Sequence, residues 1–195
     1  MTIKTLIRKT LEAQVVKYGY ELRRTRGAYQ SETSKCRKRL APYCIGQGVD
    51  LGPGGDPITE TAIRVDLPQP YSQAGLLPPQ LTGDARKLIW FRDACLDYVY
   101  SSHLLEDFDD TKPILIEWLR VLKPGGHLVL FCPDERVFRE HCRATGQRYN
   151  EMHKQPDFSL AKVEAILTDI GQTTTFHTTP LIDIYSWELV ARKSR

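Results

Sequence analysis

Two acids, Asp50 and Asp66, and the glycines between them are the residues of this chain best suited to hold a ligand. Residues 48–56 read Gly-Val-Asp-Leu-Gly-Pro-Gly-Gly-Asp. Asp50 ends an apolar run. Gly52, Gly54 and Gly55 then form a turn that can take positive φ and bring the backbone close to a bound molecule. Asp66 ends the next apolar run, over 62–67. A strand that ends in an acid and opens into a glycine turn suits a ligand with a cationic amine and a ribose. Asp50 supplies charge or an acceptor at the base of the loop. Asp66, at the tip of the neighbouring strand, can accept two ribose hydroxyl protons, as the ribose acid of dinucleotide folds does. Asp84 follows Gly83, and Ser101-Ser102-His103 closes a third apolar run. Ligands in open α/β sheets bind beyond the carboxyl ends of the strands, where all these residues fall. His103 is the best-placed candidate to accept a proton.

The elements that must position them alternate between strand and helix, which argues a doubly wound α/β sheet. Residues 48–51, 80–82, 96–101 and 127–132 read as strands, the last nearly continuously apolar as a central parallel strand is. Over 110–122, Ile114, Leu115, Trp118, Leu119 and Leu122 recur at helical spacing, and Lys123-Pro124-Gly125-Gly126 ends that helix. Residues 160–170 are the last helix, with Ser159 as cap and Gly171 as stop. Residues 173–179 and 185–191 are closing strands joined by a turn at Pro180. Asp56-Pro57 offers a helix cap and first position. The short span between Asp50 and Asp66 limits that first crossover helix to a turn or two. Prolines 68, 70, 78 and 79 make the next connection a loop. Residues 133–158 read as irregular and carry Arg136, Arg139, Arg143, Arg148, Tyr149 and a second base candidate, His153, while His141 and His177 read as surface residues.

Taken in order, these segments resemble the motifs of the class I methyltransferases that use S-adenosylmethionine (SAM). Their first motif, acid-x-Gly-x-Gly-x-Gly, is matched by Asp50, Gly52 and Gly54; Asp56 stands where the third glycine belongs, and Gly55 lies one place early. Val65-Asp66-Leu67, Gly83-Asp84-Ala85, residues 96–108 (Leu-Asp-Tyr-Val-Tyr-Ser-Ser-His-Leu-Leu-Glu-Asp-Phe) and Leu-Lys-Pro-Gly-Gly at 122–126 follow. The last two are similar to the small type 11 branch. The resemblance covers about residues 43–192. It implies a mostly parallel seven-stranded sheet with an antiparallel last strand, and SAM as cofactor. Asp50, Leu51, Gly52, Pro53 and Gly54 would then hold the methionine portion, and Asp66 with Leu67 the ribose. Gly83, Asp84 and Ala85 would hold the adenine, Ser101 or Ser102 would lie under the sulfonium, and residues 133–158 would cover an acceptor pocket. Relatives often read His-x-Leu-Glu-His after the fourth strand. Here His103 fills the first position and Asp107 replaces the second histidine.

Each residue also has a plainer use. Asp50 and Asp84 can serve as turn acids, and His103 can start a helix or contact backbone. A dinucleotide dehydrogenase would need Gly-x-Gly-x-x-Gly. From Gly52 the sixth position is Pro57, and from Gly46 it is Leu51, so neither register works.

Of 195 residues, the first forty hold eleven Lys/Arg against three Glu, although the whole chain is only +3. Ile3, Ile7, Leu11, Val15 and Tyr18 mark an amphipathic helix over 2–18 with a basic polar side. Residues 21–42, polar and without periodicity, read as a linker. Residues 1–42 are therefore expected to be a lid or arm on a ligand-binding domain at 43–195. With the arginines of 133–158, this basic region favours a small acceptor bearing a carboxylate, phosphate or sugar phosphate. An RNA methyltransferase that uses the arm is the alternative within the class; a non-catalytic SAM-binding or partner-binding subunit is the alternative outside it. The five cysteines are odd in number and lack a Cys-x-x-Cys pair, so neither disulfides nor a metal site are expected. No apolar run is long enough to span a bilayer. Lys4, Arg8 and Lys9 rule against a signal peptide, and the expected location is the cytoplasm.

Overall fold

The computed structural model describes residues 17, 18, 31–70 and 75–195. The helix expected over 2–18 lies outside them, apart from Lys17 and Tyr18. Seven strands form one sheet: β1 (Gly48–Leu51), β2 (Ile63–Asp66), β3 (Leu81–Thr82), β4 (Leu96–Ser102), β5 (Leu122–Pro133), β6 (Thr173–Ile182) and β7 (Ser186–Lys193). Their order is β3-β2-β1-β4-β5-β7-β6. β1 to β5 are parallel to their neighbours, and β7 runs against both β5 and β6. The expected doubly wound sheet with its antiparallel edge is thus present. The order reverses between β1 and β4, the place at which ligands bind in open α/β sheets.

Four helices follow from local signals: α1 (Glu32–Leu40), α2 (Thr111–Val121), α3 (Glu135–Thr145) and α4 (Leu160–Ile170). Asp110 and Ser159 cap α2 and α4 by accepting from Lys112 N and Lys162 N, and Gly171 ends α4 in the left-handed conformation. Strand alternation decides which helix covers which face. Val49, Leu51, Val99, Leu128, Leu130, Trp187 and Leu189 face one side and bury Trp118 and Leu119 of α2 and Val163 and Leu167 of α4. Tyr98, Tyr100, Val129, Phe131 and Val190 face the other side, where they meet Cys36 and Leu40.

That second face corrects the reading of 21–42 as a linker. Residues 32–40 are a helix packed on the sheet. Ser31 caps it through Ser34 N, and Cys36 and Leu40 are fully buried. Its polar residues point outward or pair with the domain: Arg39 binds Glu188 at 2.6 Å and Asp183 at 2.8 Å. The expected short helix after Asp56-Pro57 does not form, and residues 52–62 make only turns. Asp56 instead accepts from Ser31 Oγ and, at 2.5 Å, from Arg37, which ties α1 to the glycine loop. α1 thereby covers part of the face that a crossover helix would cover.

Three further expectations change. Residues 133–158 are not all irregular: Asp134 caps α3, Phe138 and Cys142 bury one side of it, and Gly146 ends it. Pro180 lies within β6 rather than in its turn. Proline lacks an N–H, and the ladder shifts register there, between Thr179 and Ile182. The hairpin turns at Asp183 and Ile184, both with positive φ. Cys95 and Cys132, in or beside the apolar runs 96–101 and 127–132, read as buried thiols; Cys132 is buried, but Cys95 is only half-buried. No described helix is long and apolar enough to cross a membrane.

Candidate functional site

Asp50, Asp66, Ser101, Ser102 and His103 come together at the carboxyl ends of β1, β2 and β4. Asp50 is fully buried. Its Oδ2 accepts from Ile58 N at 2.7 Å, and its Oδ1 has no partner among the described residues. Burial, with Asp66 and Asp56 adding repulsion, raises its pKa to about 8 against the pull of the Ile58 N–H and Arg37. A buried carboxylate with one free oxygen is a receptor for a cation.

The sign of its pH linkage follows. The folded state keeps the Asp50 proton up to about pH 8, whereas the unfolded chain releases it near pH 4. The stability this group contributes is present below pH 4 and lost as pH rises through 8. Without ligand, Asp50→Asn is therefore expected to gain stability over the native protein as pH is raised from about 5 to 8. Melting curves across that range check it; parallel pH profiles for the two proteins would show that Asp50 does not titrate there.

The glycine loop is shaped by two contacts. Gly52 has φ +71°, and a Cβ there would lie 3.0 Å from the Leu104 side chain. Gly55 and Gly75 meet backbone to backbone: a Cβ on Gly75 would fall 2.0 Å from the Gly55 carbonyl oxygen. Gly75 N and Leu77 N donate to Gly54 O and Gly55 O at 3.0 and 3.1 Å. The long second connection thus folds back onto the loop, and Gly55 is the residue that admits it. Pro53 is buried within the loop.

Asp66 is half-buried and bound to the same loop. Its Oδ2 accepts from Gly54 N at 3.1 Å and its Oδ1 from Leu67 N at 2.8 Å, and burial raises its pKa. Each oxygen keeps a further lone pair, enough for two hydroxyl donors. Ser101 Oγ donates to Leu51 O at 3.1 Å, locking β4 to β1, while the buried Ser102 Oγ is unpartnered among the described residues.

Asp84 fits its plainer use. Both its oxygens accept from the Arg86 guanidinium, and Oδ1 also accepts from Arg86 N. The neighbouring backbone is better fixed. The Trp90 ring lies against Gly83, where a Cβ would meet it at 2.1 Å, and Trp118 Nε1 donates to Ala85 O at 2.8 Å. Trp118 and Trp90 therefore set this segment, through contacts between distant residues that sequence spacing does not reveal.

His103 stands just past β4 with φ +48°, an unusual conformation for a side-chain-bearing residue. Its amide donates to Phe131 O at 2.9 Å, and its Nε2 lies 3.2 Å from Ser186 Oγ. Burial lowers its pKa to about 4 despite the nearby Glu32 carboxylate, so the ring is neutral at pH 7. Glu32 of α1 lies 3.4 Å from its Nε2, the Tyr185 ring packs beside it, and Lys35 of α1 lies over that ring. His153 is buried, bonded through Nδ1 to Glu135 at 2.7 Å. His141 and His177 are half-exposed.

Residues 49–130 match the family model described as a methyltransferase domain. Over that stretch, from β1 into β5, the chain is similar to the methyltransferase-domain family. A methyltransferase domain is an enzyme domain, and solved structures described as SAM-dependent methyltransferases are similar to this chain. No curated protein is a significant match to this sequence. Similar solved structures include the PH0226 protein of Pyrococcus horikoshii OT3, 19% identical with a TM-score of 0.65 over 87% of this chain and 93% of that one. A SAM-dependent methyltransferase from Archaeoglobus fulgidus is 16% identical, with a TM-score of 0.62 over 83% of this chain and 92% of its own. Another from Aquifex aeolicus is 14% identical, with a TM-score of 0.57 over 93% and 98%. At these identities the structures share the fold.

The residues fit SAM, the cofactor that the resemblance implies, on two observations: the buried oxygen of Asp50 that has no partner among the described residues, and the spare acceptor capacity of Asp66 beside a glycine loop. If Asp66 takes the ribose hydroxyls, Asp66→Ala should weaken SAM binding by about 1.5–3 kcal/mol, the worth of hydrogen bonds to a charged group. Calorimetric titration of the folded variant decides this, and unchanged affinity would remove Asp66 from the site.

Proposed function

We propose that this methyltransferase acts on a small-molecule acceptor bound beside His103, and that His103 removes the acceptor's proton. The observation that carries the reading is the placement of His103. A neutral, mostly buried imidazole, held in a strained backbone conformation, stands between the cofactor residues at the ends of β1 and β4 and the α1 residues Glu32 and Lys35. Bound SAM supplies an electrophilic methyl group on a sulfonium. Asp50 would offset the charge of the cofactor's amine, and Asp66 with Gly54 would fix its ribose end. The protein's remaining task is to align the acceptor and take its proton, which asks for one base at the mouth of the site. Ser186 Oγ fixes the ring by its contact with Nε2.

Two cationic groups, Lys35 over the Tyr185 ring beside His103 and Arg139 on the Glu135 carboxylate, support an acceptor with an anionic group. Both already have carboxylate partners, Glu32 and Glu135, so an anion would share them rather than find them bare. The test is a methyl-transfer assay with SAM against a panel of hydroxylated and carboxylated metabolites, read by mass spectrometry of product and S-adenosylhomocysteine. Turnover of a small acceptor supports the reading. Methylation of RNA alone would move it to a nucleic-acid enzyme, and SAM binding without transfer to any acceptor class would make the chain a non-catalytic subunit.

A further inference from the structure

Behind His103, Glu106 sits in the short 3₁₀ turn Leu105–Asp107 with no exposed surface, and neither of its carboxylate oxygens has a hydrogen-bond partner among the described residues. An isolated buried carboxylate is costly unless it is neutralised, paired or bound to a metal. Protonation alone does not resolve the geometry, since an acid O–H needs an acceptor within hydrogen-bond reach. The nearest ring nitrogens, His103 Nδ1 and His153 Nε2, both stand 3.7 Å from Glu106 Oε1. That spacing is too long for a hydrogen bond and suits two ligands of one cation. Metal bonds of about 2.0–2.2 Å place neighbouring ligand atoms about 3–4 Å apart.

The surroundings are built for a metal ligand. His153 Nδ1 lies 2.7 Å from Glu135 Oε2. Glu135 also accepts from Arg139 Nε at 2.7 Å and from the Tyr149 hydroxyl. A carboxylate so engaged accepts a hydrogen bond from the His153 Nδ1–H, which leaves the Nε2 lone pair facing Glu106. A histidine whose far nitrogen is held by a carboxylate is the usual support of a metal-bound imidazole. Lys154 N donates to Glu106 O at 3.0 Å, so the backbone itself holds the His153 segment against the Glu106 turn. Asp107 completes the set: one donor atom each from Glu106, Asp107 and His153 lies within 4.8 Å of the others.

We propose that Glu106, Asp107 and His153 form a binding site for one divalent first-row transition-metal ion. One imidazole and two carboxylates suit Zn²⁺ or Mn²⁺ better than Mg²⁺ or Ca²⁺, which favour all-oxygen sets. Two carboxylates also match the charge of a divalent ion. The half-buried Asp107 gives the ion its way in. The site stands on its own donors and does not depend on the identity of the methyl acceptor.

The test is titration of the full-length, metal-stripped protein with Zn²⁺ and with Mn²⁺ against a chromophoric chelator, with melting temperature as a second readout. The native protein should bind one equivalent and melt higher. Glu106→Gln and His153→Ala should each lose at least about ten-fold in affinity, the scale on which even supporting partners of a ligand act. Glu106→Gln also removes an unpaired buried charge, so without metal it should melt at or above the native protein, and its melting should no longer respond to the ion. Absence of stoichiometric binding, or equal affinity in the native protein and either folded variant, would overturn the proposal. Should one variant fail to fold, the other decides.

Discussion

His103→Ala should lower turnover by about 10²–10⁴-fold, the usual loss on removing a general base, while SAM affinity stays nearly constant. The expectation rests on placement. The ring lies past the end of β4, fixed by its amide bond to Phe131 O and its contact with Ser186, and among the described residues its partners Ser186, Glu32 and Glu106 lie outside the glycine loop and apart from Asp66. Single-turnover kinetics at saturating SAM, with cofactor affinity measured separately, distinguish the outcomes. A normal saturating rate with weakened SAM binding would make His103 a cofactor contact and place the base elsewhere. Ser186→Ala provides the companion measurement. If Ser186 only orients the ring, its loss should lower the rate less than loss of His103, and the double variant should be no slower than His103→Ala alone.

The second large effect lies in α1. Leu40→Ala should destabilise the protein by about 2–5 kcal/mol, the range for deleting a fully buried leucine side chain. Leu40 is fully buried in the cluster formed by Tyr98, Tyr100, Val129, Phe131 and Val190. If α1 were a lid that merely rested on the domain, the variant would melt almost like the native protein. Denaturant unfolding gives the answer, and a change of less than about 1 kcal/mol, typical of a surface site, would count against α1 as part of the core. The same burial means that a truncation probing the basic N-terminal residues should stop before Ser31, because cutting through residue 40 also strips the sheet of its cover.

Much of the fold was legible because its signals are local. The apolar runs ending in Asp50, Asp66 and Ser101 located the strands, and caps and stops such as Ser159 and Gly171 bounded the helices. The misses have a common physical origin. α1 is strongly basic and α3 rich in charges of both signs, and each buries few apolar residues, Cys36 and Leu40 in one, Phe138 and Cys142 in the other. Their apolar stripe is too narrow to dominate the pattern, although Ser31, Asp134 and Gly146 supplied the terminal signals. Asp56-Pro57 failed as a helix start because Ser31 and Arg37, far back in the chain, claim the Asp56 side chain. In the site, the grouping of Asp50, Asp66 and His103 followed from strand ends alone. The buried pairing of Glu135 with His153, and the isolation of Glu106, depend on how α3 and the segment after it return over the sheet. No spacing in the sequence encodes that return.

The turns that replace a helix after β1 determine which charges the site welcomes. A helix starting there would aim its amino terminus at the ligand, a positive pole of roughly half an elementary charge, and pyrophosphate is held by that pole in dinucleotide folds. Residues 52–62 supply no such pole. Asp66, joined by Asp50 once a bound cation draws off its proton, would instead give the proposed site a negative field that an ammonium or sulfonium relieves and a phosphate deepens. Selection between SAM and a phosphate-bearing nucleotide would then be made by the sign of that field, before any shape is read. The same field would hold the neutral thioether product less firmly than the sulfonium it came from, so the residues proposed to admit the cofactor would also favour its departure once the methyl group has gone.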